Sequence, residues 1–315
     1  MDNIYYYLRN SVILYSVFTF FVGYYFGGYL REFVNIIRKY FKAYVSVLLF
    51  FPVSRYLFER FGMATLFPAL FKKAKYQWVL PSLIGINLIY SISYKSATTL
   101  ILVLFYCVLL VSPGYRFFKQ IIVVLVVFFS IFFIYIQPNL NIISHNYSVH
   151  NDKAIREVME SNPLLKLDGN TTWRLVLWKQ IIIDRFPGNL LGMGLGTPIF
   201  KYFPVENISK LESLPYVIGA HNSFVYLFGR LGFVYIILTI YMYRYVFKEY
   251  FYFKKYYLQN NAILIFWSFF AISVIALFNP VLESPVYAGG YWMILGFVAK
   301  AINLRKVNTL KIKET

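Results

Sequence analysis

The chain contains few acidic residues, few histidines and one cysteine, and each shortage narrows its chemistry. Only 13 of its 315 residues are Asp or Glu, against 31 Lys and Arg, and three are histidine. Cys107 is the single cysteine, so the chain cannot form an intrachain disulfide. Because it lies inside an apolar run, we expect an inert buried thiol. The sequence has no Gly-x-x-x-x-Gly-Lys-Ser/Thr phosphate loop, so no motif in it indicates energy coupling.

Apolar residues are abundant instead. They make up 59% of the chain, whereas soluble domains contain about 45–50%. Apolar runs of roughly 17–25 residues recur, which is the length that a helix needs to cross a bilayer. We therefore predict an all-α polytopic membrane protein with about eight or nine transmembrane helices and one large, partly helical, non-cytoplasmic loop domain. The predicted spans are 11–30, 41–58, 60–71, 76–92, 97–113, 119–137, 222–247, 260–278 and 286–303.

The net charge of +18 is concentrated beside the apolar runs. Between Pro138 and Ala220, eight Lys and Arg residues nearly balance seven Asp and Glu residues. The remaining positive charge flanks the predicted spans, which is the pattern of the positive-inside rule. It predicts a cytoplasmic C-terminus and a long loop on the opposite, non-cytoplasmic side of the membrane. Because no basic stripe lies on a soluble domain, we expect no nucleic-acid partner.

Four segments follow from this topology. They are N-terminal transmembrane helices at 1–137, a large extracytoplasmic loop at 138–221, C-terminal transmembrane helices at 222–303 and a cytoplasmic basic tail at 304–315. A long loop in a compact protein is usually functional. Within it, Thr171 or Thr172 is a plausible N-cap for a helix that runs to about Phe186 and is stopped by Pro187-Gly188.

That loop helix predicts a candidate anion site. Arg174, Trp178 and Ile181 are spaced at i, i+4 and i+7, so they share one face. A guanidinium held beside a tryptophan matches the oxygens of a phosphate. The alternative is a helix that rests on the membrane interface, where Trp and Arg are also common. The spacing alone favours neither interpretation.

A glycine-rich run follows the helix. Gly192-Met193-Gly194-Leu195-Gly196 lets the backbone turn sharply and approach a ligand closely, so Gly194 is a candidate substrate contact. Its spacing is not that of a dinucleotide-binding fingerprint. A tight turn packed on other helices explains the same pattern.

His221-Asn222-Ser223 lies where the loop returns to the membrane, at the depth expected for the polar part of a lipid-borne substrate. A histidine with a pKa near neutrality suits deprotonation of a sugar hydroxyl. Asn222 and Ser223 are candidate substrate contacts, but either could instead be the N-cap of the next helix. His221 itself could simply sit at that helix boundary.

Two charged residues lie in turns predicted on the same side as the loop. Lys95 could bind a phosphate or extend its ammonium to lipid headgroups. Glu283 could pair with Arg174 or Lys95, or it could be a solvated turn carboxylate. A metal site built from His145, His150 and Asp152 lacks a helical i, i+4 pair, so we predict neither a metal nor a cofactor.

Several of these segments, in this order, resemble the O-antigen ligase family of integral-membrane glycan transferases, which includes related glycan polymerases. The resemblance covers about 75–315 and is strongest in 170–296. It is carried by Thr172-Trp173-Arg174-Leu175-Val176-Leu177-Trp178, Pro187-Gly188, Gly192 to Gly196, His221-Asn222-Ser223-Phe224 with Gly229 and Gly232, and Leu282-Glu283-Ser284-Pro285 with Trp292 and Gly296.

The resemblance implies a metal-independent glycosyltransferase whose donor is a glycan on undecaprenyl diphosphate. Ligases of this family transfer the glycan to lipid A–core, and polymerases transfer it to another lipid-linked repeat. By resemblance, the catalytic residues are Arg174, which would hold the diphosphate, and His221, which would activate the acceptor hydroxyl or orient the reacting groups. Such an enzyme would act in lipopolysaccharide and other cell-surface polysaccharide biosynthesis.

The chain departs from the family pattern in two respects. Family members often carry an arginine in a Ser-Arg pair where this chain reads Tyr94-Lys95, and lysine keeps the charge but loses the bidentate geometry. Members also tend to have about a dozen spans, more than we predict here. A lipid-linked sugar transporter or flippase is the alternative of another class, although its helices should carry charges or glycine and proline breaks near the midplane.

Overall fold

The computed structural model describes part of the chain, and every regular element in that part is helical. The described residues are 7–8, 10–29, 32, 101, 104–105, 107–109, 112–148, 157, 169–184, 187–196, 221–256 and 262–314. The α-helices are α1 (Val12–Tyr15), α2 (Thr19–Phe26), α3 (Tyr115–Ser148), α4 (Gly169–Lys179), α5 (Ser223–Leu231), α6 (Phe233–Tyr256), α7 (Ala262–Ala276) and α8 (Pro285–Glu314). The predicted spans 41–58, 60–71 and 76–92 lie outside the described residues.

Two helical stretches among the described residues are long and apolar enough to cross a membrane. One is Val12–Tyr29, in which 3-10 turns join α1 to α2 and end the stretch, and the other is Tyr115–Ile142 within α3. The most apolar window of the second is almost entirely exposed. By length and composition these stretches support association with a membrane.

Three helix boundaries differ from the sequence prediction. Helix α3 continues through Pro138 to Ser148, into the start of the predicted loop. A proline removes one backbone hydrogen bond, yet the helix continues, and Ile136 and Leu140 on either side of the proline are both buried. Helix α4 begins at Gly169, so the two threonines lie inside its first turns. Helix α8 runs to Glu314, so the predicted basic tail continues the last helix.

The predicted span 222–247 is two helices rather than one. Helix α5 ends at Leu231, and α6 begins at Phe233. Between them Gly232 has φ +71° and ψ −157°, a conformation that side chains with a Cβ rarely adopt. A Cβ there would also lie 2.3 Å from the carbonyl oxygen of Leu190. The break therefore depends on the absence of a side chain at this position.

The described residues separate into two compact units. The first unit contains the described residues of 1–11 and 119–240, and the second contains those of 12–118 and 241–315. In the second unit α2 and α8 pack backbone against backbone. A Cβ on Gly23 would lie 1.9 Å from the Met293 carbonyl oxygen, and one on Gly296 would lie 2.1 Å from that of Phe20. Small residues that let helices approach this closely are typical of helix contacts in membranes.

Polar side chains also join the helices of the second unit. The Thr19 hydroxyl donates a hydrogen bond of 2.8 Å to the Gly289 carbonyl of α8. On α6, Glu249 forms an ion pair of 2.7 Å with Arg305 of α8, and both side chains are largely buried. The ammonium of Lys254 donates to the carbonyl of Ser112. Some basic residues that the sequence marks as topology signals therefore also hold helices together.

We expect Gly296→Ala to destabilise the second unit, because its methyl group would collide with the backbone of α2. Overpacking of this kind costs about 1–3 kcal/mol. The control is Gly290→Ala on the same helix, where a Cβ would meet nothing within 4 Å and helix propensity gains about 0.5–1 kcal/mol. Thermal unfolding in detergent should rank Gly290→Ala at or above the wild type and Gly296→Ala clearly below it. Equal midpoints for the two variants would contradict the close packing.

Candidate active site

Helix α4 holds Arg174 at a fixed place in the first unit. The three residues after Arg174, which are Leu175, Val176 and Leu177, are all buried. Three successive buried positions point to different sides of a helix, so α4 is enclosed on more than one face. Arg174 is half-buried and Trp178 lies one turn further along, also half-buried. The two predicted anion-site residues therefore share one face of a well-anchored helix.

Helix α4 continues into a π-helical turn, Gln180–Asp184. Lys179 is buried, and its ammonium lies 2.8 and 2.9 Å from the two carboxylate oxygens of Asp184, across the turn. Ile181 is buried within the turn, so the third member of the predicted face belongs to the packed interior. The turn contacts α5. Turns of this type occur frequently at functional sites because they change the helical register locally.

His221 has an unusual backbone conformation directly before α5. Its φ is +49°, in the left-handed region that non-glycine residues adopt rarely and at a cost of about 1–3 kcal/mol. The next residue, Asn222, is extended and caps the helix. Its Oδ1 accepts hydrogen bonds from the backbone N–H groups of Phe224 at 3.0 Å and Val225 at 3.1 Å. The cap thus fixes the chain at the point where His221 is strained.

Asn222 therefore takes the capping role that competes with substrate binding. Its side-chain oxygen is engaged by the helix, and the residue is 5% exposed. Ser223 is completely buried. A substrate contact by either residue remains a prediction, and in this geometry it would require the ligand to reach a covered side chain.

The environment of His221 favours a neutral imidazole. Burial lowers its pKa below the usual 6.5, and the positive charge of Arg174 lowers it further. The guanidinium of Arg174 on α4 therefore acts electrostatically on the imidazole that precedes α5. A neutral imidazole near a guanidinium combines a proton acceptor with an anion-binding group.

The glycine run forms a tight turn against the far end of α5. The backbone N–H of Met193 donates to the Gly229 carbonyl at 2.8 Å, and that of Gly194 donates to the Arg230 carbonyl at 3.1 Å. Gly192 has φ +82°, and a Cβ on it would lie 2.4 Å from the Arg230 carbonyl oxygen. The run is therefore a turn packed on a helix, which is one of its two predicted interpretations.

Gly194 is bonded to Arg230 through both of its backbone polar groups. Its N–H donates to the Arg230 carbonyl, and its own carbonyl accepts a hydrogen bond of 3.0 Å from the Arg230 guanidinium. Open space surrounds its Cα on the side where a Cβ would stand. As a predicted substrate contact, Gly194 therefore offers an open surface of backbone rather than a directed hydrogen bond.

Arg230 is a structural residue of this region that the sequence analysis did not single out. It is a charged residue within the predicted apolar span, and it is only 3% exposed. A charged residue in such a run is usually buried and paired with other charges or with backbone carbonyls. That rule was the available signal, and the bond to the Gly194 carbonyl fits it.

The roles predicted for Lys95 and Glu283 stay predictions. Lys95 lies outside the described residues. Glu283 is half-buried in the turn between α7 and α8 and belongs to the second unit. Its pairing with Arg174 or Lys95 stays a prediction.

Within the described part of the chain, no group of three or more His, Cys, Asp or Glu residues could hold a metal ion. His150 and Asp152, two members of the alternative metal set, lie outside it. Comparisons with known proteins give no family. No protein-family model matches the chain, and no match is found among curated proteins or solved structures.

We predict that the His221 ring titrates below 6.5 in the folded protein, since burial and Arg174 both oppose its protonation. The chain has three histidines, so NMR of labelled imidazole rings can follow each of them, and His221→Asn identifies the signal. Asparagine tolerates the left-handed conformation. Arg174→Gln should raise the pKa of His221 part of the way, because burial remains. Arg244→Gln, which changes an exposed arginine on α6, is the control and should leave the pKa unchanged.

A pKa of His221 at or above 6.5 would contradict this description of the site. So would an imidazole that does not respond to Arg174→Gln.

Proposed function

We propose that this chain is an O-antigen ligase-like membrane glycosyltransferase. In this proposal it moves a glycan from undecaprenyl diphosphate to a lipid A–core acceptor on the periplasmic side of the inner membrane. The observation that carries the proposal is that burial and the positive charge of Arg174 both lower the pKa of His221, which favours a neutral imidazole. It joins the two residues to which the sequence resemblance assigns the diphosphate and the acceptor hydroxyl.

The proposed reaction needs one base and one anion-binding group. His221 takes the proton from the acceptor hydroxyl, and the acceptor oxygen forms a bond to the anomeric carbon of the donor glycan. The bond between that carbon and the diphosphate oxygen breaks, so its electron pair stays on the leaving undecaprenyl diphosphate. Arg174 stabilises the negative charge that develops there. No metal takes part in these steps.

The proximity of the two groups has opposite effects before and during transfer. Before reaction the guanidinium helps to keep the imidazole neutral, which is the form that accepts a proton. When the bound donor is present, its diphosphate offsets the charge of Arg174. Protonation of His221 then becomes easier at the stage when negative charge grows on the leaving group. The same pair can thus serve the base and the leaving group in turn.

The membrane setting supports this substrate class. The two apolar helical stretches described above suit a protein whose donor and acceptor are both lipid-borne. The proposal includes the eight or nine spans that the apolar runs predict. It also places the loop domain on the non-cytoplasmic face, as the charge pattern predicts. Trp178 lies one helical turn from Arg174 and could stack on a sugar ring of the donor. In the same proposal Lys95 and Glu283 contribute from the external turns.

A repeat-unit polymerase of the same family would use the same donor and the same two residues. The two functions differ in the acceptor, which for a polymerase is a second lipid-linked glycan. The identity of the product therefore separates them.

The proposal is tested by the glycolipid profile of cells that lack the protein. These cells are complemented with the wild type, His221→Ala or Arg174→Gln at equal expression. Removing a general base slows a reaction by about 10²–10⁴-fold, so we expect glycan transfer to be lost and the lipid-linked precursor to accumulate. Arg244→Gln is the matched control for Arg174→Gln and should complement fully. Capped lipid A–core indicates a ligase, and a lengthened lipid-linked glycan indicates a polymerase.

Full complementation by His221→Ala would overturn the proposed chemistry. Loss of the lipid-linked glycan from the external face, with transfer itself intact, would instead identify a transporter.

A further inference from the structure

Buried polar contacts connect the N-terminal segment to the glycine turn and to α5. Asn10 is 4% exposed. It contacts these elements although it lies far from them in the sequence. Its Nδ2 donates a hydrogen bond of 2.7 Å to the Leu195 carbonyl, and its Oδ1 accepts one from the hydroxyl of Tyr226. The amide thus uses its donor on the turn and its acceptor on the helix. All of these residues belong to the first unit.

Arg230 extends the same set of contacts. Its guanidinium carbon lies 5.0 Å from the centre of the Tyr226 ring, and one of its nitrogens donates to the Gly194 carbonyl at 3.0 Å. A buried charge is costly unless hydrogen bonds and polarisable groups surround it. Here a ring face and a backbone carbonyl provide them. We call Asn10, Tyr226 and Arg230 the clasp.

We propose that Arg230 is a positioning residue, which together with Tyr226 and Asn10 fixes the glycine turn at one end of α5 and so sets its place relative to His221 at the other end. Helix α5 has nine residues, which corresponds to about 13 Å. Because such a short helix is rigid, its two ends move together. The consequence of the clasp for catalysis rests on the proposed function.

The chemistry of the clasp requires arginine rather than any cation. The planar guanidinium can lie over the Tyr226 ring and donate to the Gly194 carbonyl at the same time. The ammonium of lysine is a compact charge without this planar fork. Tyr226→Phe keeps the ring beneath the guanidinium but removes the hydroxyl that reaches Asn10. These changes separate the arginine contacts from the link to the N-terminal segment.

Hydrogen exchange of the purified full-length protein tests the structural part of the inference. We expect the amides of 190–196 to exchange about tenfold faster in Arg230→Lys and Arg230→Met, since a hydrogen bond from a charged group is lost. Tyr226→Phe should have a smaller effect on the same peptide. The control Arg244→Lys changes an exposed arginine on α6 and should exchange like wild type. Peptides from α7, in the second unit, should stay unchanged in every variant.

Transfer kinetics on the same samples test the positioning role. With a lipid-linked glycan as donor, we expect kcat per folded molecule to fall about tenfold or more in both Arg230 variants, while KM for the donor changes much less. A residue that only maintained folding would lower the amount of folded protein and leave kcat per folded molecule unchanged. If Arg230→Met does not fold, Tyr226→Phe and Arg230→Lys carry the comparison.

Hydrogen exchange and transfer kinetics together show which part of the inference fails. Faster exchange of the turn together with a lower kcat supports the inference. Exchange like that of wild type in every clasp variant overturns it, and so does faster exchange with an unchanged kcat. If the wild type transfers no glycan, the proposed function fails and the catalytic part of this inference fails with it, whereas the exchange result still decides whether the clasp fixes the turn.

Discussion

The cap of helix α5 is the constraint on which the first unit depends. Asn222 satisfies two backbone N–H groups that would otherwise lack partners at the start of the helix. It does so directly after His221, which is held at φ +49°. At the opposite end, Gly232 allows the chain to leave the helix in a conformation that other residues avoid. One short helix thus carries a strained histidine at its start and the glycine turn at its end.

The electrostatics of the site follow from that arrangement. A histidine that is partly buried beside an arginine stays neutral at a pH where an exposed histidine begins to titrate. The arginine in turn is positioned by the buried segment of α4 that follows it. A site built in this way is prepared for a substrate that brings its own negative charge.

The sequence predicts the helices better than it predicts their ends or their contacts. Apolar runs give the approximate positions of α6 to α8. The local sequence predicts that a helix ends before Pro138 and that another continues through Gly232, whereas the structure has the reverse at both places. Whether a proline or a glycine breaks a helix depends on its packing, which the local sequence does not show. Asn222 was predicted as one of two candidate caps, since its side chain suits that position. Arg230 was overlooked and Asn10 could not have been found. Asn10 lies 185 and 216 residues from its two partners, and Arg230 lies 36 residues from Gly194, so only folding brings these groups together.

The central claim is that Arg174 binds the diphosphate of a lipid-linked donor beside His221, which acts on the acceptor hydroxyl. The most direct measurement is photocrosslinking of the purified protein with an undecaprenyl diphosphate analogue that carries its reactive group beside the diphosphate. Mass spectrometry would then locate the labelled peptides. The account predicts labelling within 174–184 and 221–231, competition by unlabelled undecaprenyl diphosphate and loss of the label in Arg174→Gln. Labelling confined to 262–314, or labelling indifferent to Arg174, would contradict it.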